Sequence, residues 1–328
     1  MPLSDYTNLA GYETALAGGV YLPQVKAGYI NIEGPDQIDF LQRQTSNDLN
    51  LLTDGRSLVT VLLNPAARIL DVLRLVKNKD ALSALTLPGY AAETTRFLQS
   101  RIFFMDQVSL ADQSSHFTQV DVLGADAPHT LERLGYSDLP GEDFITSSII
   151  AGAPVFAIGQ KGFQGLGFRL LATAEASQDL EAALQQVNAE AITDDVHHIL
   201  RVEAGLPAAG SELTDDYTPL ETGLANLVST TKGCYPGQEV IARQINYDKI
   251  TRSLVGIKLE RPAQTGARIM VEGKSVGVLT SYANSPRFGP IALVILKRPH
   301  NLPGTKVIVS GDQEIPAQVT SLPFGSQI

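Results

Sequence analysis

The end of the chain sets the strongest limit on what it can fold into. From residue 252 onward, five short apolar runs (252–260, 267–272, 275–283, 290–297 and 305–310) are separated by Gly, Pro or Asn. Short strands at even spacing with turn residues between them suit a small all-β unit, a barrel. A boundary is expected near residue 248, which divides the chain into 1–248 and 249–328.

The first region has a different texture. Residues 26–33 read as a strand, and Gly34-Pro35-Asp36 turns into a short helix with Pro35 at its first position and Ile38 and Leu41 three apart. Residues 57–63 and 69–76 read as two strands joined by the turn Asn64-Pro65-Ala66-Ala67. Helices are expected over 89–100, about 127–134, 175–187 and 194–204. The last starts near Asp194 or Asp195 and ends at Gly205-Leu206-Pro207. Strands and helices mix without a regular βαβ alternation, so the fold class is α+β.

Charge and cysteine usage exclude several functions. The chain has 328 residues, room for two or three folding units, and a net charge of −10. An acidic surface repels phosphate backbones, so direct nucleic-acid binding is not expected. The one cysteine cannot form an internal disulfide. The amino terminus lacks a basic start and a long apolar run, and no stretch approaches the ~20 apolar residues of a membrane helix. A cytoplasmic protein without membrane contact is expected.

The most informative stretch runs from Thr231 to Arg243, TKGCYPGQEVIAR. Cys234 stands after Lys232-Gly233 and before a segment that can start a helix. A thiol near a helix N-terminus, with an ammonium close by, would favour its thiolate. Lys232 could also hold an anion. The bland reading is that Cys234 is a small, buried, inert residue in a turn. Asp71 lies within an apolar strand, where an unpaired carboxylate is costly. A ligand, a catalytic role, or a salt bridge to Arg68 or Arg74 would each account for it. Glu203, on the helix at 194–204, could accept hydrogen bonds from a ligand or pair with Arg201. His197 and His198 are adjacent, about 100° apart on a helix, and rarely share one metal. No metal site is expected. The glycines of Gly162-Phe163-Gln164-Gly165-Leu166-Gly167 are not spaced as GxGxxG and read as a turn into a strand.

The octapeptide KGCYPGQE resembles the K-G-C-Y-x-G-Q-E signature of the YgfZ family, relatives of the glycine-cleavage aminomethyltransferases. Other segments agree in order. Phe40-Leu41-Gln42 through Asp48-Leu49 resembles the family's early F-L-Q segment, with one extra residue between Thr45 and Asp48. Arg68-Ile69-Leu70-Asp71 resembles the stretch that carries a functional aspartate in aminomethyltransferases. Arg201-Val202-Glu203-Ala204-Gly205-Leu206-Pro207 and Pro219-Leu220-Glu221 resemble two further elements. Together they span about residues 25 to 260.

The resemblance implies a ring-like folate-binding domain of ferredoxin-like pieces followed by a β-barrel. It implies tetrahydrofolate or a one-carbon derivative as cofactor. It also implies support for the assembly or repair of iron–sulfur clusters in client enzymes, including enzymes that modify tRNA. Client enzymes or assembly proteins would be the partners. By that likeness Cys234 and Lys232 are the functional pair, with Glu203, Asp71, His197, Tyr235 and Gln238 as candidate cofactor-binding residues. The chain departs from the family in having no tryptophan. His197 takes one place where a family member can present one, and Ala27 falls near the other. Asp71 is followed by Val72, where aminomethyltransferases pair two aspartates. One cysteine cannot hold a conventional cluster alone, since about four protein ligands are usual. Two alternatives stand beside the accessory role: a tetrahydrofolate-dependent aminomethyltransferase or demethylase, and a scaffold that binds no folate.

Overall fold

The computed structural model describes residues 9–79 and 81–326. In chain order, α1 (Tyr12–Ala17), β1 (Val20–Pro23) and β2 (Gly28–Glu33) lead into α2 (Gln37–Gln44). Three strands follow, β3 (Arg56–Leu63), β4 (Ile69–Asn78) and β5 (Ala81–Thr86), then α3 (Ala91–Gln99), β6 (Ser109–Asp112), β7 (Phe117–Leu123) and α4 (Ala127–Arg133). The hairpins of β8 (Ile145–Ile150), β9 (Ala153–Gly162) and β10 (Gly165–Thr173) precede α5 (Ser177–Gln186), β11 (Glu190–Ala191), α6 (Asp194–Ala204) and α7 (Gln238–Asn246). The chain closes with β12 (Arg252–Leu259), β13 (Arg268–Val271), β14 (Lys274–Ser285), β15 (Gly289–Lys297), β16 (Lys306–Val309) and β17 (Ile315–Thr320).

These strands form three sheets. A six-stranded sheet has the order β11-β1-β7-β10-β9-β8 and a five-stranded sheet the order β3-β4-β5-β2-β6. The last six strands close into a barrel, β12-β15-β14-β13-β16-β17. Each sheet buries an apolar face of its own. α4 and α5 pack on the six-stranded sheet through Leu131, Leu180 and Leu184. α2 and α3 cover the five-stranded sheet through Phe40, Leu41 and Leu98. Fully burying one such side chain is worth about 1.5–3 kcal/mol. The barrel interior is filled by Ile257, Ile269, Val294 and Val307, among others.

α6 is the element that joins the parts. Val196, Ile199 and Leu200 share one apolar cluster with Tyr12 and Val20 on one side and with Ala283, Ile291 and Leu293 of the barrel on the other. Its start is capped by Thr193, whose hydroxyl accepts from the Val196 amide, and Gly205 ends it at φ 72°. The barrel holds one strand more than expected: β17 pairs with β12 and β16 and closes it. Pro35 is not the first helical residue, because Asp36 is the cap of α2 and Pro35 precedes it. The glycine-rich stretch at 162–167 is the tight connection between β9 and β10.

Candidate functional site

The loop around Cys234 is pinned on both sides of the thiol. Before it, the Ser229 amide donates to the Ser46 carbonyl. The Lys232 ammonium donates to the carbonyls of Thr45 at 2.6 Å and Asn47 at 2.7 Å. After it, Tyr235 is buried in a cluster with Val61, Ile69 and Ile241. Gly237 has φ 82°, and a Cβ there would meet the backbone of Ala67 at 2.7 Å, so only glycine lets α7 start against that turn. Between these anchors Cys234 is exposed.

The geometry revises two readings of the loop. Cys234 is not a small buried residue. Nor does the Lys232 ammonium serve the thiol: it is buried, and its hydrogen bonds go to the main chain of Thr45 and Asn47. Burial lowers its pKa to about 8, while Asp48 opposes that shift. Ammonium donors to carbonyls are charge-assisted bonds, so Lys232 clamps the base of the loop as a cation at neutral pH. Gln238 opens α7, its amide donating to the Tyr235 carbonyl.

Asp71 is fully buried in β4. One carboxylate oxygen accepts from the amides of Val72 (2.7 Å) and Leu87 (3.0 Å), and the other from the Thr94 hydroxyl (2.5 Å). Burial raises its pKa to about 7, with the Thr94 hydroxyl and the two amides acting against the rise. The arginine partners expected for it are committed elsewhere: Arg68 pairs with Glu221 and Arg74 with Asp143. In this structure Asp71 has no surface to offer a ligand.

α6 carries two of the candidate residues to different neighbours. Glu203 is buried. One carboxylate oxygen accepts from Tyr12 Oη at 2.6 Å and Ser285 Oγ at 2.5 Å, and the other has Arg287 at 3.9 Å. Arg201 does not pair with it. It pairs instead with the buried Glu212 at 3.2 Å and donates to Ser281 Oγ. His197 lies against Phe163, ring centroids 5.3 Å apart. Its pKa is lowered, chiefly by burial, with Asp121 opposing and Arg201 adding to the effect. His198 is held by Arg201 and by the Tyr282 carbonyl. Burial and the Arg201 charge lower its pKa too, so the neutral ring accepts at Nδ1 and donates from Nε2. Among the described residues no cluster of His, Cys, Asp and Glu could hold a metal.

A buried polar centre on β7 and β10 escaped the sequence reading. Asp121 takes both forks of Arg169, each at 2.8 Å, and one further bond from each of Gln24 and Gln160. Burial pushes the Asp121 pKa up, but Arg169 outweighs it and the net shift is downward. The Asp121 charge acts on His197 and on Arg74, so His197 of α6 faces this centre. The available signal was a charge inside each of two apolar strands, VDVL and FRLL. The candidate residues thus fall into three places. The Cys234 loop holds four, α6 holds two, and Asp71 stands apart.

Residues 22–232 match the model of the GCVT N-terminal domain, and residues 252–325 match that of the glycine cleavage T-protein C-terminal barrel domain. The chain belongs to the glycine-cleavage T-protein family. A chloroplastic protein of Arabidopsis thaliana, provisionally named a transferase, is 30% identical over 300 residues, which cover 90% of this chain and 69% of that protein. An aminomethyltransferase of a Synechococcus species is 30% identical over 306 residues, 90% of this chain and 84% of the enzyme. The crystal structure of the glycine cleavage system aminomethyltransferase T of Bartonella henselae superposes with a TM-score of 0.86 at 24% identity, covering 96% of this chain and 89% of that one. The T-protein fold, with mixed sheets and a closed six-stranded barrel, is therefore common to both. Cys234 and α7 lie between the two T-protein segments, which end at residue 232 and resume at residue 252.

Proposed function

We propose that this T-protein relative is a tetrahydrofolate-binding accessory protein of the YgfZ type. In this reading it supports the assembly or repair of iron–sulfur clusters in client enzymes and acts through Cys234. The observation that carries the proposal is the exposed single thiol on a loop anchored by Lys232, Tyr235 and Gly237. A reactive group displayed to the outside and held rigid suits delivery to a second protein better than chemistry in a closed pocket. Cys234 would lose its proton to solvent and give one thiolate ligand to the cluster being handed over, with partner residues supplying the others.

Glu203 and His197 support a folate site. The second carboxylate oxygen of Glu203 has no hydrogen-bond donor among the described residues, only Arg287 at 3.9 Å, so an acceptor on a largely buried residue remains open to a ring N–H. Neutral His197 offers a flat ring beside the Asp121 centre. Tetrahydrofolate, when bound, supplies a carrier for a one-carbon unit. The transferase alternative would call on Asp71, and that carboxyl is enclosed and already bonded by the protein. The geometry therefore favours the accessory role.

Two measurements test the proposal. In cells lacking the native copy, Cys234→Ser is expected to abolish support of iron–sulfur client activity, at an unchanged melting temperature because the side chain is exposed. Full support by that variant would overturn the role of the thiol. Anaerobic calorimetry with tetrahydrofolate is expected to show saturable binding that weakens about tenfold in Glu203→Gln, the loss of one charge-assisted hydrogen bond. An absence of binding would remove the folate and leave a cysteine-dependent scaffold.

A further inference from the structure

A second site lies where the barrel meets the first domain. Four cations surround a cavity of about 420 Å³: Arg68 from the turn before β4, Arg252 from β12, and Lys297 and Arg298 from the end of β15. One carboxylate, Glu221, faces them from below. On a chain of net charge −10, a cavity with four positive groups and one negative group is a local reversal of sign.

Glu221 does not use up these cations. It is buried, and it accepts from Arg252 at 2.8 and 3.1 Å and from Arg68 at 3.3 Å. Both arginines also donate to the Asp216 carbonyl, at 2.9 Å from Arg68 and 3.4 Å from Arg252, and these bonds leave Nε and Nη2 of Arg68 and Nη1 of Arg252 uncommitted among the described residues. Lys297 is exposed, and its ammonium has no hydrogen-bond or ion-pair partner among the described residues. Arg298 reaches Asp248, which is itself largely exposed.

The cavity also carries buried polar atoms that the protein leaves unsatisfied. Thr218, 2% exposed, has a hydroxyl with no partner, and the Gln244 side-chain oxygen is buried without one. Both residues line the cavity. Buried polar atoms are nearly always bonded, so an unpaired hydroxyl in a cationic cavity points to a ligand that supplies the acceptor. A half-turn of the Gln244 amide would present its N–H donors as well.

We infer that this junction cavity binds a small phosphate-bearing polyanion, of the size of pyrophosphate or the phosphates of a nucleotide. Arginine forks and a hydroxyl arranged around a volume match the oxygens of a tetrahedral group, which accept from several directions. A lone carboxylate offers two oxygens in one plane. The ligand would bridge Arg68 of the first domain and the barrel cations, and would touch α7, the helix that follows the Cys234 loop.

Calorimetry of the full chain at low ionic strength tests this, with pyrophosphate, inorganic phosphate and citrate as probes. Wild type is expected to bind pyrophosphate at one site, inorganic phosphate more weakly, and citrate negligibly. Lys297→Glu should weaken pyrophosphate about tenfold or more by reversing a lining charge. Thr218→Val should weaken it several-fold. Lys258→Glu, an equal charge change elsewhere on the barrel, should leave it unchanged. Lys297→Glu should melt and bind tetrahydrofolate as wild type does, which separates this site from the folate proposal. Three results would overturn the inference: no saturable pyrophosphate binding by wild type, an equal loss in Lys258→Glu, or citrate binding as tight as pyrophosphate.

Discussion

The enclosed carboxyl of Asp71 makes stability depend on pH in a direction that can be checked. Burial raises its folded pKa from 3.8 to about 7. Between those values the folded state keeps a proton that the unfolded chain has released. The contribution of Asp71 is therefore fully present below the lower value and is lost as pH rises through the upper one, by about 4 kcal/mol at most. Asp71→Asn keeps the shape and the acceptor for Val72 and Leu87, and Thr94 can turn its hydroxyl to accept from the new amide. The variant is expected to match wild type near pH 3.5 and to exceed it by a growing margin up to about pH 8. Thermal melts across that range measure it, and an undiminished pH slope would rule the account out. The sequence marks Asp71 as a residue that needs partners, because a carboxylate in an apolar strand is costly. It could not name the partners, since Leu87 and Thr94 lie on later elements and no local pattern ties them to β4. The same limit hid the pair of Asp121 and Arg169, 48 positions apart, and the clamp from Lys232 to Thr45.

Among the elements, the barrel and α6 were the most legible parts. The strands β12 to β16 overlap the five apolar runs, and α6 spans the expected 194–204. β17 was missed although Ile315, Ala317 and Val319 alternate inward, because Pro316 and the polar residues between them break up a short run. The stop signal of α6 was read from Gly205, but its reason is tertiary. Gly205 has φ 72°, and a Cβ there would meet Leu322 at 2.8 Å. Next to it, the Phe324 amide donates to the Glu203 carbonyl at 2.8 Å. Gly205→Ala therefore adds left-handed strain of about 1–3 kcal/mol and a clash with the chain end. The expected outcome is a loss of about 2 kcal/mol or more in urea denaturation, with faster hydrogen exchange at Phe324. Unchanged exchange at Phe324 would show that the end of α6 and the chain terminus are not coupled.

At the scale of the whole molecule, three buried glutamates fasten the barrel to the first domain. Glu203 accepts from Ser285 and Glu212 from Ser281, two residues four apart and on one face of β14. Glu221 accepts from Arg252, and its carbonyl accepts from the Leu254 amide of β12. Glu221 differs from the other two because it binds a cation on each side, Arg68 of the first domain and Arg252 of the barrel. Glu221→Gln keeps the volume but leaves two arginines, each about a third exposed, short of their counter-charge, which costs about 1–3 kcal/mol. Because both guanidiniums reach solvent at the cavity, the loss should shrink between low salt and about 0.5 M. The same change removes the one negative group in the junction cavity, so an external anion would take over the work of the missing carboxylate. A ligand that binds only the folded state stabilises it in proportion to its affinity. Pyrophosphate is therefore expected to raise the melting temperature of Glu221→Gln more than that of wild type, and Lys297→Glu in the same background should cancel the gain. Equal shifts in the two proteins would mean that Glu221 and the anion do not share the arginines, and that the barrel is fastened independently of anything bound at the junction.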